Sequence, residues 1–138
     1  MHALKVLVVD DSSRMRSSLT QSFHDLGHEV VAEAQNGVEA LELINELHPD
    51  LVTMDIIMPE MDGIECYRLL RSLSYPPRCI LISALAQETR VIYAYREEID
   101  PNHFLVKGAS IEDLKNKIEA VFNQTPLPLP VVEDGGEA

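Results

Sequence analysis

Asp50-Leu-Val-Thr-Met-Asp-Ile-Ile-Met-Pro-Glu-Met-Asp-Gly63 decides the reading of the fold. A short apolar run, Leu51–Met54, stops at the carboxylate of Asp55 and gives way to a segment punctuated by Pro59 and Gly63, which is how a strand ends in a turn. Working outward, strand-length apolar runs recur at Lys5–Val9, Glu29–Ala34, Cys79–Ser83 and Phe104–Val106. Helical patterns separate them near Ser13–Leu26, Val38–Leu47, Gly63–Leu73, Gln87–Glu97 and Ile111–Phe122. This alternation predicts an α/β domain built on a parallel sheet. The first helix places Met15, Leu19, Phe23 and Leu26 on one face and the last places Leu114, Ile118, Val121 and Phe122 likewise, stripes that suit covering a sheet. Gly27 reads as a helix stop, and Ser110 with Asp113 as a capping pair for the last helix.

Chemistry gathers at the ends of the runs. Asp10 and Asp11 close the first, Asp55 the third, Ser83 the fourth and Lys107 the fifth. In a parallel sheet these groups share one edge. Three carboxylates held close repel one another and persist with a cation between them, and an all-oxygen site suits Mg²⁺. A lysine beside them supplies a point charge for a phosphate oxygen, so an aspartate there can attack a phosphoryl group while metal and ammonium stabilise its oxygens. Singly, such residues are as well explained as helix caps or solvated surface groups. Their joint placement is the specific signal.

The chain has 138 residues, enough for one domain with a single core, and 46% of them are hydrophobic. With 11 basic and 23 acidic residues its formal charge is −12. That disfavours direct binding to nucleic acid and to anionic membranes, both of which need clustered Lys and Arg. Cys66 and Cys79 fall in a helix and a strand without metal-ligand spacing and read as free buried thiols. The start of the chain lacks the apolar core of a signal peptide and no run reaches transmembrane length, so a cytoplasmic address without membrane insertion is expected. Beyond Phe122, Thr125-Pro-Leu-Pro-Leu-Pro130 excludes a regular helix and the last residues are acidic and glycine-rich, which divides the chain into a domain over 1–124 and a flexible tail over 125–138.

Val8-Val-Asp-Asp-Ser12, Asn36-Gly-Val-Glu-Ala-Leu41, Met54-Asp-Ile-Ile-Met-Pro59, Met61-Asp-Gly63, Ile82-Ser-Ala84 and Lys107 resemble, in order, the receiver domain of bacterial two-component response regulators. The resemblance covers residues 3–123 and is strongest to single-domain chemotaxis regulators. It implies a flavodoxin-like (βα)5 doubly wound sheet of order 2-1-3-4-5, an order that the hydrophobic pattern alone does not supply. It also implies that Asp55 is the phosphoacceptor, that Asp10, Asp11, Asp55 and the backbone carbonyl of Ile57 hold Mg²⁺, and that Lys107 and Ser83 contact the phosphoryl oxygens. Ser83 and Phe104 would form the switch: as Ser83 moves to the phosphate, the Phe104 ring turns inward and reshapes the surface around Gln87–Glu97, Phe104–Val106 and Ile111–Phe122.

The implied partners are a sensor histidine kinase as donor and a flagellar motor switch or another output protein as target. The implied role is that of a phosphoacceptor assisting its own transfer, not of a turnover enzyme. A phosphorylation-independent adaptor and the input domain of a longer regulator are the alternatives. A hydrolase using Asp55 would want a second acid two residues on, where Ile57 stands. Two departures from the family pattern are visible. Gly108 follows Lys107 where receivers usually carry a cis proline, and because a cis bond without proline costs about 3 kcal/mol a trans or more mobile loop is expected. Ile57 and Leu85 replace frequently polar positions that tune dephosphorylation.

Overall fold

The five apolar runs form five strands in the computed structural model, which describes residues 2–84, 90 and 93–123. They are β1 (Lys5–Val9), β2 (Glu29–Ala34), β3 (Leu51–Asp55), β4 (Arg78–Ser83) and β5 (Phe104–Val106), all parallel in the order β2-β1-β3-β4-β5. Among the described residues four complete α-helices accompany them: α1 (Ser13–Asp25), α2 (Gly37–Leu47), α3 (Gly63–Arg71) and α4 (Ile111–Asn123). The third ends two residues before the predicted Leu73, in a last turn where Leu73 N–H still bonds to the Leu70 carbonyl. Of the helix expected at Gln87–Glu97, residues 87–89, 91 and 92 lie outside the described residues; Arg90, Tyr93 and Ala94 are helical and a turn follows Ala94. Leu85 and the tail over 125–138 also lie outside.

The inner strands β1, β3 and β4 are almost wholly buried because both sheet faces are covered, whereas the edge strand β2 exposes Glu29 and Glu33. Val6, Val8, Leu51, Ile80, Ile82 and Leu105 pack against Leu19 and Phe23 of α1 and Leu114, Ile118 and Val121 of α4. Leu7, Val9, Val52, Met54 and Leu81 pack on the other face against Ala40 and Ile44 of α2, Ile64, Tyr67 and Leu70 of α3, and Phe104. Both helix stripes expected from the sequence are therefore core. Cys66 and Cys79 are free and buried, and burial pushes the Cys66 thiol up to about 12, so it stays protonated and inert.

Local chemistry sets where each helix begins. Ser12 Oγ accepts from Met15 N–H, Asn36 Oδ1 from Glu39 N–H and Asp62 Oδ1 from Glu65 N–H. At α4, Ser110 Oγ accepts from Asp113 N–H while Asp113 Oδ2 accepts from Ser110 N–H, a reciprocal capping box. Each cap contributes about 1 kcal/mol. All four caps follow strand ends or their loops, so they also set how the loops leave the sheet.

Candidate functional site

Asp10 directly follows β1, Asp55 ends β3, and one carboxylate oxygen from each, with one from Asp11, lie within 4.8 Å of one another. The sheet order causes this, since β1 and β3 are neighbours in register from Val6↔Leu51 to Val9↔Met54. Asp10 and Asp55 are 0% and 3% exposed, whereas Asp11 faces solvent. Lys107 Nζ reaches Asp55 Oδ2 at 2.9 Å. Ile57 N–H donates to Asp55 Oδ1 at 3.3 Å, and Ser12 N–H donates to Asp10 Oδ1 at 2.9 Å. The Ile57 side chain is exposed.

Electrostatics follow from burial. Desolvation raises the Asp10 pKa, with the Asp55 and Asp11 charges adding to it and the Ser12 N–H and Lys107 opposing it. Lys107 is held protonated above its usual range, chiefly by its hydrogen bond to Asp55. One ammonium does not offset three carboxylates. Asp10 Oδ2 is buried with no hydrogen-bond partner, and so is Ser83 Oγ. Orphaned buried oxygens of this kind cost free energy and mark a place for a further group. A hard divalent cation that keeps several waters fits this donor set, which contains neither His nor Cys.

The third strand's exit is shaped by backbone contact. A Cβ on Gly63 would run into the carbonyl oxygen of Asp55, and Gly63 N–H donates to the Ile56 carbonyl at 2.6 Å. Glycine is needed there so that the start of α3 can press against the end of β3. Glu60 adopts a left-handed φ of 72° in the intervening loop. Met61 covers Gly37, where a Cβ would lie 2.9 Å from Met61 Sδ.

Ser83 lies opposite Val106 in the β4–β5 ladder, and its carbonyl accepts from Lys107 N–H at 2.8 Å. Phe104 sits opposite Leu81 with 1% exposure, so its ring occupies an inward position in this state. The Lys107–Gly108 bond is trans and Gly108 has φ +83°. Sequence reading missed two residues. Thr53, buried one strand pair from Asp10, has an unpartnered Oγ1, and Arg16 bonds the Asp10 carbonyl. An arginine in the first turns of a helix carries no sequence signal for that contact, whereas a threonine inside an apolar strand is a weak one.

A doubly wound parallel sheet with an acid cluster and a lysine at the carboxyl ends of its strands is the build of a phosphoacceptor signalling domain. The chain belongs to the response regulator receiver domain family, which it matches over residues 6–119. It is 39% identical over 121 residues to the chemotaxis protein CheY of Bacillus subtilis, covering 88% of this chain and 99% of that one. It is also 45% identical over 127 residues to a protein-glutamate methylesterase/protein-glutamine glutaminase of Pyrococcus horikoshii, covering 88% of this chain and 34% of that one. Among solved structures, the response regulator domain of Thermotoga maritima CheB is similar at a TM-score of 0.75 and 36% identity, covering 91% of this chain and all of that one. CheY in the CheX-CheY-BeF3-Mg complex of Borrelia burgdorferi is similar at 0.76 and 32%, covering 88% and 90%. The protein is thus a two-component receiver, a phosphoacceptor signalling domain. Among the described residues no helix is long and apolar enough to cross a membrane.

Proposed function

We propose that the receiver unit, residues 1–124, takes a phosphoryl group from the phosphohistidine of a sensor histidine kinase onto Asp55 in the presence of Mg²⁺, and thereby switches its affinity for an output partner in chemotaxis or related signalling. The observation that carries this is Asp55 itself, 3% exposed, with Lys107 at 2.9 Å and two further acids clustered around it. A carboxylate oxygen of Asp55 attacks phosphorus, the O–P bond forming as the N–P bond to histidine breaks and its electron pair returns to the ring. Lys107, already protonated, passes from the Asp55 oxygen to a phosphoryl oxygen without a proton transfer. Asp10, Asp11, Asp55 and the Ile57 carbonyl would hold Mg²⁺, which when bound would supply charge compensation for the phosphoryl oxygens.

Ser83 Oγ, buried and unpartnered, gains an acceptor when the phosphoryl group arrives. Phe104 is already inward before the phosphoryl group arrives, so the inward turn expected from the resemblance is not the coupling step, and the movement of Ser83 would reach the surface of β5 and α4 by repacking around the buried ring. The relatives named chemotaxis protein CheY support an output in chemotaxis; on the family resemblance the target is a motor switch or comparable output protein in the cytoplasm, with the domain acting as a switch and not as a turnover enzyme. Acetyl phosphate with Mg²⁺ should add one phosphoryl group by intact mass, absent in Asp55→Asn and without Mg²⁺. Label that persists in Asp55→Asn would mean another acceptor.

A further inference from the structure

The link between β1 and α1 carries two of the acids assigned to the cation, so its backbone must be held. Asp10 N–H donates to the Ala34 carbonyl at 3.0 Å. The Asp10 carbonyl, which leads into Asp11, accepts from Arg16 Nη1 at 2.7 Å. The same guanidinium donates through Nε to Glu33 Oε1 at 3.0 Å, and Glu33 Oε2 accepts from Thr20 Oγ1 at 3.3 Å. The Arg16 side chain is 17% exposed, so this contact is partly shielded from water.

We propose that Arg16, oriented by Glu33, is a positioning residue for cation binding: it fixes the peptide plane between Asp10 and Asp11 so that both carboxylates face one ion. The inference rests on the acid cluster being the Mg²⁺ site. The reason for arginine is geometric. A planar guanidinium presents donors in a fixed fork and spans the Asp10 carbonyl and the Glu33 carboxylate together, whereas a lysine is a single point charge. Glu33 also neutralises the guanidinium, so the positioning group does not repel the cation it serves. Without the contact the peptide between Asp10 and Asp11 can rotate, and exposed Asp11 turns toward water.

Mg²⁺ titration of wild type, Arg16→Ala, Arg16→Lys and Glu33→Ala, followed by amide chemical shifts of residues 10–12 with no phosphoryl donor present, tests this directly. Partners that orient metal ligands typically change metal affinity 10- to 100-fold when removed, so Arg16→Ala should weaken Mg²⁺ binding by about 10-fold. Arg16→Lys and Glu33→Ala should fall between it and wild type. With acetyl phosphate, the half-saturating Mg²⁺ concentration should rise in Arg16→Ala while the rate at saturating Mg²⁺ stays near that of wild type. Unchanged Mg²⁺ affinity in Arg16→Ala overturns the inference. So does a lower maximal rate at unchanged half-saturation, which is the signature of a merely structural role. If Arg16→Ala does not fold, the other two variants decide by the same criteria. Wild type that binds no Mg²⁺ would bring down the acid-cluster reading itself.

Discussion

Lys107 Nζ stands 2.9 Å from Asp55 Oδ2 although glycine follows it in the chain and the bond between them is trans. The trans bond expected from the absence of proline does not displace the lysine, because the backbone on either side of it is held. Lys107 N–H is tied to the Ser83 carbonyl, and Ala109 N–H to the Val106 carbonyl, so the chain turns through Gly108 with the lysine already aimed at Asp55.

Gly108→Ala isolates that turn. A Cβ there would meet nothing within 4 Å, so the cost is the left-handed backbone alone, about 1 kcal/mol. Urea unfolding should show that loss, and acetyl phosphate modification should slow as Lys107 shifts. Unchanged stability and rate would mean the turn adapts freely.

Gly63→Ala should be more damaging, because the added methyl meets the Asp55 carbonyl and the Ile56 Cα, which are backbone and cannot swing aside. An overpacking cost of about 2 kcal/mol is expected, with loss of Mg²⁺ affinity as the end of β3 moves. Comparing Gly27→Ala, a left-handed position with open space, separates strain from collision.

Asp10 gives a pH dependence of definite sign. Its folded pKa is raised, so between the ordinary carboxylate value and the folded one the native state holds a proton that the unfolded chain releases. That stability is fully present below the ordinary value and is lost as pH rises through the folded one. Without Mg²⁺, Asp10→Asn should therefore melt higher than wild type at pH 7, with the gap closing toward pH 3. Adding Mg²⁺ should raise the melting temperature of wild type and leave the variant nearly unmoved.

The Arg68–Glu98 pair has the opposite sign. Arg68 forks onto Glu98 at 2.8 and 2.9 Å and lowers the Glu98 pKa, so its contribution is present above the ordinary value and fades as pH falls through the depressed one. Arg68 is half exposed, and screening limits the pair to about 0.5 kcal/mol. Glu98→Gln should lose that much at pH 7 in urea unfolding, and the loss should shrink as the pH falls through the depressed Glu98 value.

Ser83→Ala removes a buried hydroxyl that has no partner before phosphorylation. The unmodified variant should match or exceed wild-type stability, by about 1 kcal/mol. It should still take phosphate on Asp55, but the amide shifts that phosphorylation produces in Phe104–Val106 and α4 should shrink. Shifts equal to wild type would show that the signal leaves by another route.

The alternation of strands and helices, the Ser110–Asp113 cap and the placing of acids at strand ends were legible in the sequence, because periodicity and caps are set by neighbours within a turn or two. β5 and the start of α4 fall where the pattern puts them for that reason. Strand order was different: it came from family resemblance, since the apolar runs are alike and nothing local says which pairs with which. Only the tertiary structure decided that Lys107 reaches Asp55 through a trans glycine turn, that Phe104 lies inward, and that Arg16 closes on the Asp10 carbonyl. Each joins groups brought together by the sheet, and the free energy of such contacts depends on burial and distance that no local pattern encodes.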